Sequence, residues 1–154
     1  MRATRLLTIS ILSSAIACGG STTITGTDNT PAPLSATIDG AAWSSHLPSA
    51  SYTNNLVVVA GVDNAITTTV TFGFGATAPG TYSVGFANTT GGTGIIVKGT
   101  KSWGTSLQGG TGSVTLTTVT AHHFVGTFTF NAVPAGGGAT GTSVVTNGKF
   151  DITF

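Results

Sequence analysis

One cysteine, three histidines and four aspartates are the reactive side chains of this 154-residue chain, which has no glutamate and no arginine beyond Arg5. His122-His123 is an adjacent imidazole pair, but neighbours on a strand point to opposite faces and cannot both turn to one ion. His46 could join one of them. Zinc takes three or four ligands, and with no second thiol and no glutamate to complete a set, no metal or other cofactor is expected. Nucleophilic catalysis lacks a Gly-x-Ser-x-Gly elbow. Glycan hydrolysis would need two of Asp39, Asp63 and Asp151 brought roughly 5–10 Å apart in a cleft. Alternation between Phe150 and Ile152 turns Asp151 out to solvent instead. Gly91-Gly92-Thr93-Gly94 has no helix or lysine after it to make a phosphate loop, so it reads as a turn. Trp43, Trp103, Tyr52 and Tyr82 could stack a ligand if they lined one exposed concavity. For Trp43 the favoured role is structural, covering a sheet edge or end.

Cys18 offers a different chemistry. Arg2 and Arg5 precede the apolar residues Leu6, Leu7, Ile9, Ile11, Leu12 and Ile16, and Ala15-Ile16-Ala17 leads directly to the thiol. A membrane span needs about 20 apolar residues, and Ser13, Ser14 and Gly19-Gly20 end this segment early. The arrangement resembles a lipoprotein signal over residues 1–17, in which Cys18 is acylated and becomes the first mature residue. Ala15 departs from the commoner Leu, and Ala15-x-Ala17 also suits ordinary signal peptidase. Ordinary secretion with an unpaired cysteine and an uncleaved segment therefore stay open. Gly19 rather than Asp follows the cysteine, and resemblance to sorting signals then implies the outer membrane, periplasmic or surface facing. No internal disulfide can form, so the fold must rest on burial.

Residues 18–33 read as the acylated cysteine and a flexible linker. Gly, Ser, Thr, Asp28, Asn29, Pro31 and Pro33 offer little to bury. As a flexible coil, such a spacer reaches roughly 20 Å. Without the leader, Lys98, Lys101 and Lys149 face Asp28, Asp39, Asp63 and Asp151, a net charge of −1 with histidine neutral. That field is too weak to gather nucleic acid or an anionic membrane surface. The partner expected is the membrane, reached through the lipid on Cys18.

Residues 34–154 are long enough for one domain with one core. Period-two alternation dominates, predicting an all-β antiparallel sandwich or flattened small barrel built largely from sequential hairpins. Ile66, Thr68, Val70, Phe72 and Phe74 share one face; Tyr82, Val84 and Phe86 form a second stripe, and Val114, Leu116 and Thr118 a third. Phe124, Gly126, Phe128 and Phe130 form a fourth, and Phe150, Ile152 and Phe154 a fifth. Leu56-Val57-Val58-Val59 breaks the alternation and reads as a strand covered on both faces. Asp39-Gly40, Asp63-Asn64, Pro79-Gly80 as a type II pair, and the Gly91, Gly109 and Gly136 runs mark connections. Asn147-Gly148 is the strongest hairpin signal, predicting a type I′ turn before the last strand.

Ala36-Thr37-Ile38-Asp39-Gly40-Ala41-Ala42-Trp43, then Gly80-Thr81-Tyr82, Gly126-Thr127-Phe128-Thr129-Phe130 and Asn147-Gly148-Lys149-Phe150 form an ordered set. Together they resemble the DUF6252 group of bacterial lipoproteins. The resemblance implies an all-β domain of uncharacterised function and supplies no catalytic residue. The residues favour a non-enzymatic, lipid-anchored envelope domain that binds or braces. A glycan-acting envelope hydrolase is the alternative, followed by a small outer-membrane barrel closed by Phe150-x-Ile152-x-Phe154. Against the barrel, most strands fall short of the ~9–11 residues that span a bilayer.

Overall fold

The computed structural model describes residues 32–87 and 91–154; the leader, Cys18 and the spacer to residue 31 lie outside the described residues. Every element among them is a strand. β1 (Leu34–Ile38) and β2 (Ala41–Ser45) form a hairpin, and β3 (Ser49–Thr53), β4 (Leu56–Val62) and β5 (Thr68–Gly75) a meander. β6 (Gly80–Ser83) precedes a second hairpin, β7 (Thr93–Lys98) with β8 (Lys101–Gly104). β9 (Thr111–Val119), β10 (His123–Gly136) and β11 (Ser143–Thr153) close the chain as another meander. All pairings are antiparallel, as the alternating patterns require.

The strands make one curled sheet, a half-barrel with two facing layers. One layer runs β2-β1-β11-β10-β9-β6 and the other β3-β4-β5-β7-β8. β10 joins them: its 14 residues pair with β9 and β11 up to Ala132, then with β8 from Val133. The sequence expectation of hairpins holds for the meanders. β6, however, leaves β5 to pair with β9 in the opposite layer, and β1 returns to the C-terminal strand.

Phe72 on β5 lies at the centre, its ring 4.7 Å from Phe128, 5.7 Å from Phe130 and 5.5 Å from Phe150. These rings fit because glycine stands opposite them. Register pairs Phe72 with Gly94, Phe130 with Gly112, Phe150 with Gly126 and Phe128 with Gly148. A Cβ at Gly112, Gly126 or Gly148 would come within 2.7, 2.6 and 2.6 Å of the opposing ring. At these three positions the ring takes the space that its cross-strand partner's side chain would fill, while a Cβ at Gly94 would meet Phe130 at 3.0 Å.

Two bulges bend this layer. Thr117 is the extra residue between the Val125–Thr118 and Gly126–Leu116 pairs, and Asn147 lies in a shift that disturbs the ladders to both β1 and β10. Here the structure corrects the expected terminal hairpin. Asn147 has φ 53° but Gly148 does not take positive φ, and β11 runs straight through both, so the dipeptide makes a bulge, not a turn. Pairing on both sides of β11 holds the strand extended, and Gly148 is needed for its closeness to Phe128. Two-residue turns of type I′ lie at Asp39-Gly40 (φ 51° and 83°) and Asn54-Asn55 (φ 52° and 65°), and a third two-residue turn, Gly99-Thr100, has positive φ at Gly99 alone.

Other stripes are corrected at their ends. After Asp63 the positive φ falls on Ile66, not Asn64, which turns Ile66 out to 81% exposure; Phe86 is also exposed, beyond the end of β6. Leu56 and Val58 face outward while Val57 and Val59 are buried, so β4 is covered on one face only. Gly80 already pairs with Leu116 as the first residue of β6, not as half of a type II turn. Phe150 and Ile152 are buried, whereas Phe154 is 39% exposed and leans on Phe124, 4.9 Å between rings.

Phe124, Phe128 and Phe130 are buried while Thr127 and Thr129 point out. Phe128→Ala is expected to cost about 3–5 kcal/mol, and Thr127→Ala no more than about 0.5 kcal/mol. Gly126→Ala falls between them, at about 1–3 kcal/mol, because its methyl would overlap both Phe150 and the Thr115 carbonyl. Urea midpoints of the three variants check the order; equal losses at Phe128 and Thr127 would refute the inward register.

Candidate functional site

The expected aromatic platform is divided between two ends of the domain. The Trp43 indole is buried and donates to the Thr68 carbonyl at 3.2 Å, beside the start of β5. Trp103 is buried as well and donates to the Gly141 carbonyl at 3.1 Å, with the Lys98 ammonium 5.5 Å from its ring centroid. Lys98 pairs with Thr68, so both tryptophans belong to that end. Tyr52 and Tyr82 lie at the other end of β5, where their hydroxyls donate to the carbonyls of Ala76 at 3.2 Å and Ala78 at 2.5 Å. Their rings pack on Phe124 and Phe74. Eight residues of strand separate the ends by roughly 23 Å, so the four do not share one concavity. All four polar tips are used within the fold.

The densest polar cluster surrounds Asp39 at the tip of the β1–β2 hairpin. Its carboxylate accepts hydrogen bonds from Lys98, from the Ser143 hydroxyl at 2.9 Å and from the Val144 N–H at 2.6 Å, and its own N–H donates to Val144. Burial pushes this carboxyl up, but the bonds from Lys98, Val144 and Ser143, together with the charge of Lys98, outweigh it and hold the pKa below the ordinary 3.8. The sequence offers Asp39 as a turn residue and as one of three candidate carboxylates for a cleft, but not as the centre of this cluster. Its partners lie 59, 104 and 105 positions away, a distance no local pattern could reveal.

Asp63 closes the β4–β5 loop by accepting from the Thr67 N–H at 2.7 Å, the Thr67 hydroxyl at 2.8 Å and the Thr68 N–H at 3.2 Å. Burial is again the largest single influence and raises its pKa, but the bonds from Thr67, Thr68 and Ile66 together outweigh it and hold the carboxyl below the ordinary 3.8. With Trp43, Thr68 and Lys98 it lines a shallow depression of about 240 Å³. Asp151, outward as expected, is paired with the His123 imidazole at 2.7 Å. It lies near the far end of β11 from Val145, which faces Ile38 beside Asp39. The separation along the strand is roughly 20 Å, so Asp39 and Asp151 cannot act as one pair.

His122 packs edge-on to Phe154, apart from the His123–Asp151 pair. Among the described residues no three His, Cys, Asp or Glu side chains come together. The outer face of the β2-to-β6 layer carries two depressions of about 330 and 490 Å³, which share Ala32, Ser35 and Lys149. A row of register neighbours crosses that face: Thr81, Thr115, Thr127, Lys149, Ser35 and Ser44. Thr81 and Thr115 are hydrogen-bonded to each other at 2.9 Å. The layer therefore presents mostly hydroxyls to water.

An antiparallel all-β half-barrel whose ionisable groups brace its own loops defines the class. A family model, the domain of unknown function DUF6252, matches residues 29–151, and the chain belongs to that family. No curated protein and no solved structure matches the chain.

The Asp39 and Asp63 bonds set an acid limit on stability. Both folded pKa values are lowered, so their contribution is complete above the unfolded value and lost as pH falls through the folded one. The melting temperature should change little between about pH 5 and 7 and fall below about pH 4. Asp39→Asn should reduce that acid-side fall; an identical profile in the variant would show that the Asp39 cluster contributes nothing.

Proposed function

We propose that this chain is a lipid-anchored cell-envelope domain that binds or braces and performs no catalysis. The anchor is Cys18, acylated after removal of residues 1–17, and the preferred location is the outer membrane. The spacer lets the β-domain stand off the bilayer by roughly 20 Å.

The observation that carries the non-enzymatic half is how the carboxylates are used. A glycan hydrolase needs one protonated carboxylic acid with a raised pKa beside a second carboxylate. Asp39 and Asp63 are instead both shifted down, with their oxygens committed to loop and hairpin bonds. Phe150 and Ile152 turn inward, where the outer-membrane barrel alternative needs them to face lipid.

The test is metabolic labelling of the full chain with an alkyne fatty acid, followed by membrane fractionation. The wild type should carry label and sediment with outer membranes. Cys18→Ser should lose the label and shift to a precursor or soluble form, by a large margin because more than one acyl chain is needed for stable anchoring. Equal partitioning of the two forms would overturn the anchor, and recovery of labelled wild type in the inner membrane would overturn the location.

A further inference from the structure

The ends of a curled sheet are where another strand can be added, and this sheet has three. β2 turns Trp43 and Ser45 into the opposite layer, where Ser45 is fully buried next to Gly61. β6 is only four residues long and follows Pro79. β3 differs: it has five residues with no charge, proline or bulge, and no other described strand pairs with its outer side.

The Asn54-Asn55 turn sets which groups that edge presents. A two-residue turn makes Thr53 and Leu56 the closing hydrogen-bonded pair, and antiparallel pairs alternate from there. Thr53, Ser51 and Ser49 therefore direct their backbone N–H and C=O toward β4. Tyr52 and Ala50 direct theirs away from it, to the free edge.

We infer that β3 is a self-pairing edge through which two copies of this chain join across a twofold axis at Ser51. In that register Ala50 of each copy faces Tyr52 of the other, and each such pair exchanges two N–H···O=C bonds. All eight outward donors and acceptors of the two copies are satisfied by four bonds. Ser51 meets Ser51 of the second copy as the non-hydrogen-bonded pair on the axis. The side chains agree with the backbone: Ala50 and Tyr52 are half-buried on the inner face, so a methyl lies beside a ring, while exposed Ser49, Ser51 and Thr53 share the outer face. The same register carries Leu47, 89% exposed, to the Asn54-Asn55 turn of the second copy, next to the half-exposed Leu56. Pro48 has no N–H to continue the ladder, and a twofold contact uses the edge up, so the product is a closed dimer and not a fibre.

A five-residue edge with two leucines falls short of the ~800 Å² per partner of a stable complex, so the dimer belongs to the weak class. Its test is sedimentation equilibrium of the full chain carrying Cys18→Ser, from about 10 μM to about 1 mM. The weight-average mass should rise toward twice that of the chain. Ser51→Lys should weaken association at least tenfold, since two ammonium groups would face each other across the axis. Thr129→Lys, an equal charge on the other layer's outer face, should leave it unchanged. Circular dichroism of both variants should match the parent, because both side chains are exposed. In the Cys18→Ser background, Ser51→Cys should form a disulfide dimer on mild oxidation, the pair's Cα atoms lying about 4.5 Å apart. Ser49→Cys should not, because its two copies lie roughly 13 Å apart along the ladder. A monomer at every concentration, whether the edge is idle or covered by another segment of the chain, would overturn the proposal. So would a dimer that Ser51→Lys leaves intact, or equal cross-linking at both positions.

Discussion

The fold depends on matching phenylalanine to glycine across neighbouring strands. Phe72, Phe128, Phe130 and Phe150 form the centre of the core, and each faces a glycine in register. With no disulfide among the described residues and few charges, burial of these rings is the main source of stability. The glycines allow the strands to approach under the rings, and the bulges at Thr117 and Asn147 curl one layer over the other. A larger residue at Gly126 or Gly148 would strike backbone carbonyls as well as rings, so the strand could not simply shift aside.

The charged residues serve this architecture. Asp39 fastens the β1–β2 hairpin to β11 and to Lys98 on the opposite layer, and Asp63 closes the loop entering β5. In a chain with only 6% charged residues, two of its four aspartates are used in this way. The same scarcity leaves the β3 edge without the lysines that commonly keep an edge from pairing. Hydroxyl groups hydrate the outer faces, and the backbone of β3 remains available for pairing.

Alternation in the sequence was sufficient for the strands whose two faces differ. Phe124 to Phe130 is the clearest example, since Thr127 and Thr129 alternate with buried Gly126, Phe128 and Phe130 and only one register hides the rings. It failed at strand ends. Ile66 continues the apolar period of β5 but lies in the preceding loop, where Asp63 accepts four hydrogen bonds and the backbone turns to positive φ. Asn147-Gly148 has the residue types of a turn, and a local rule cannot distinguish a turn from a bulge when both need the same φ.

The sequence by itself determined the all-β class, the inward faces of the long strands and the family likeness, because period-two patterning and turn chemistry are local properties. Only the tertiary structure decided that β6 crosses to the other layer, that β10 serves both, and that β3 is left at an edge. It alone brought Asp39 to Ser143 and Lys98 and separated the tryptophans from the tyrosines. Those arrangements depend on pairings between residues far apart in the chain. Their energies come from packing and register, which no short segment contains.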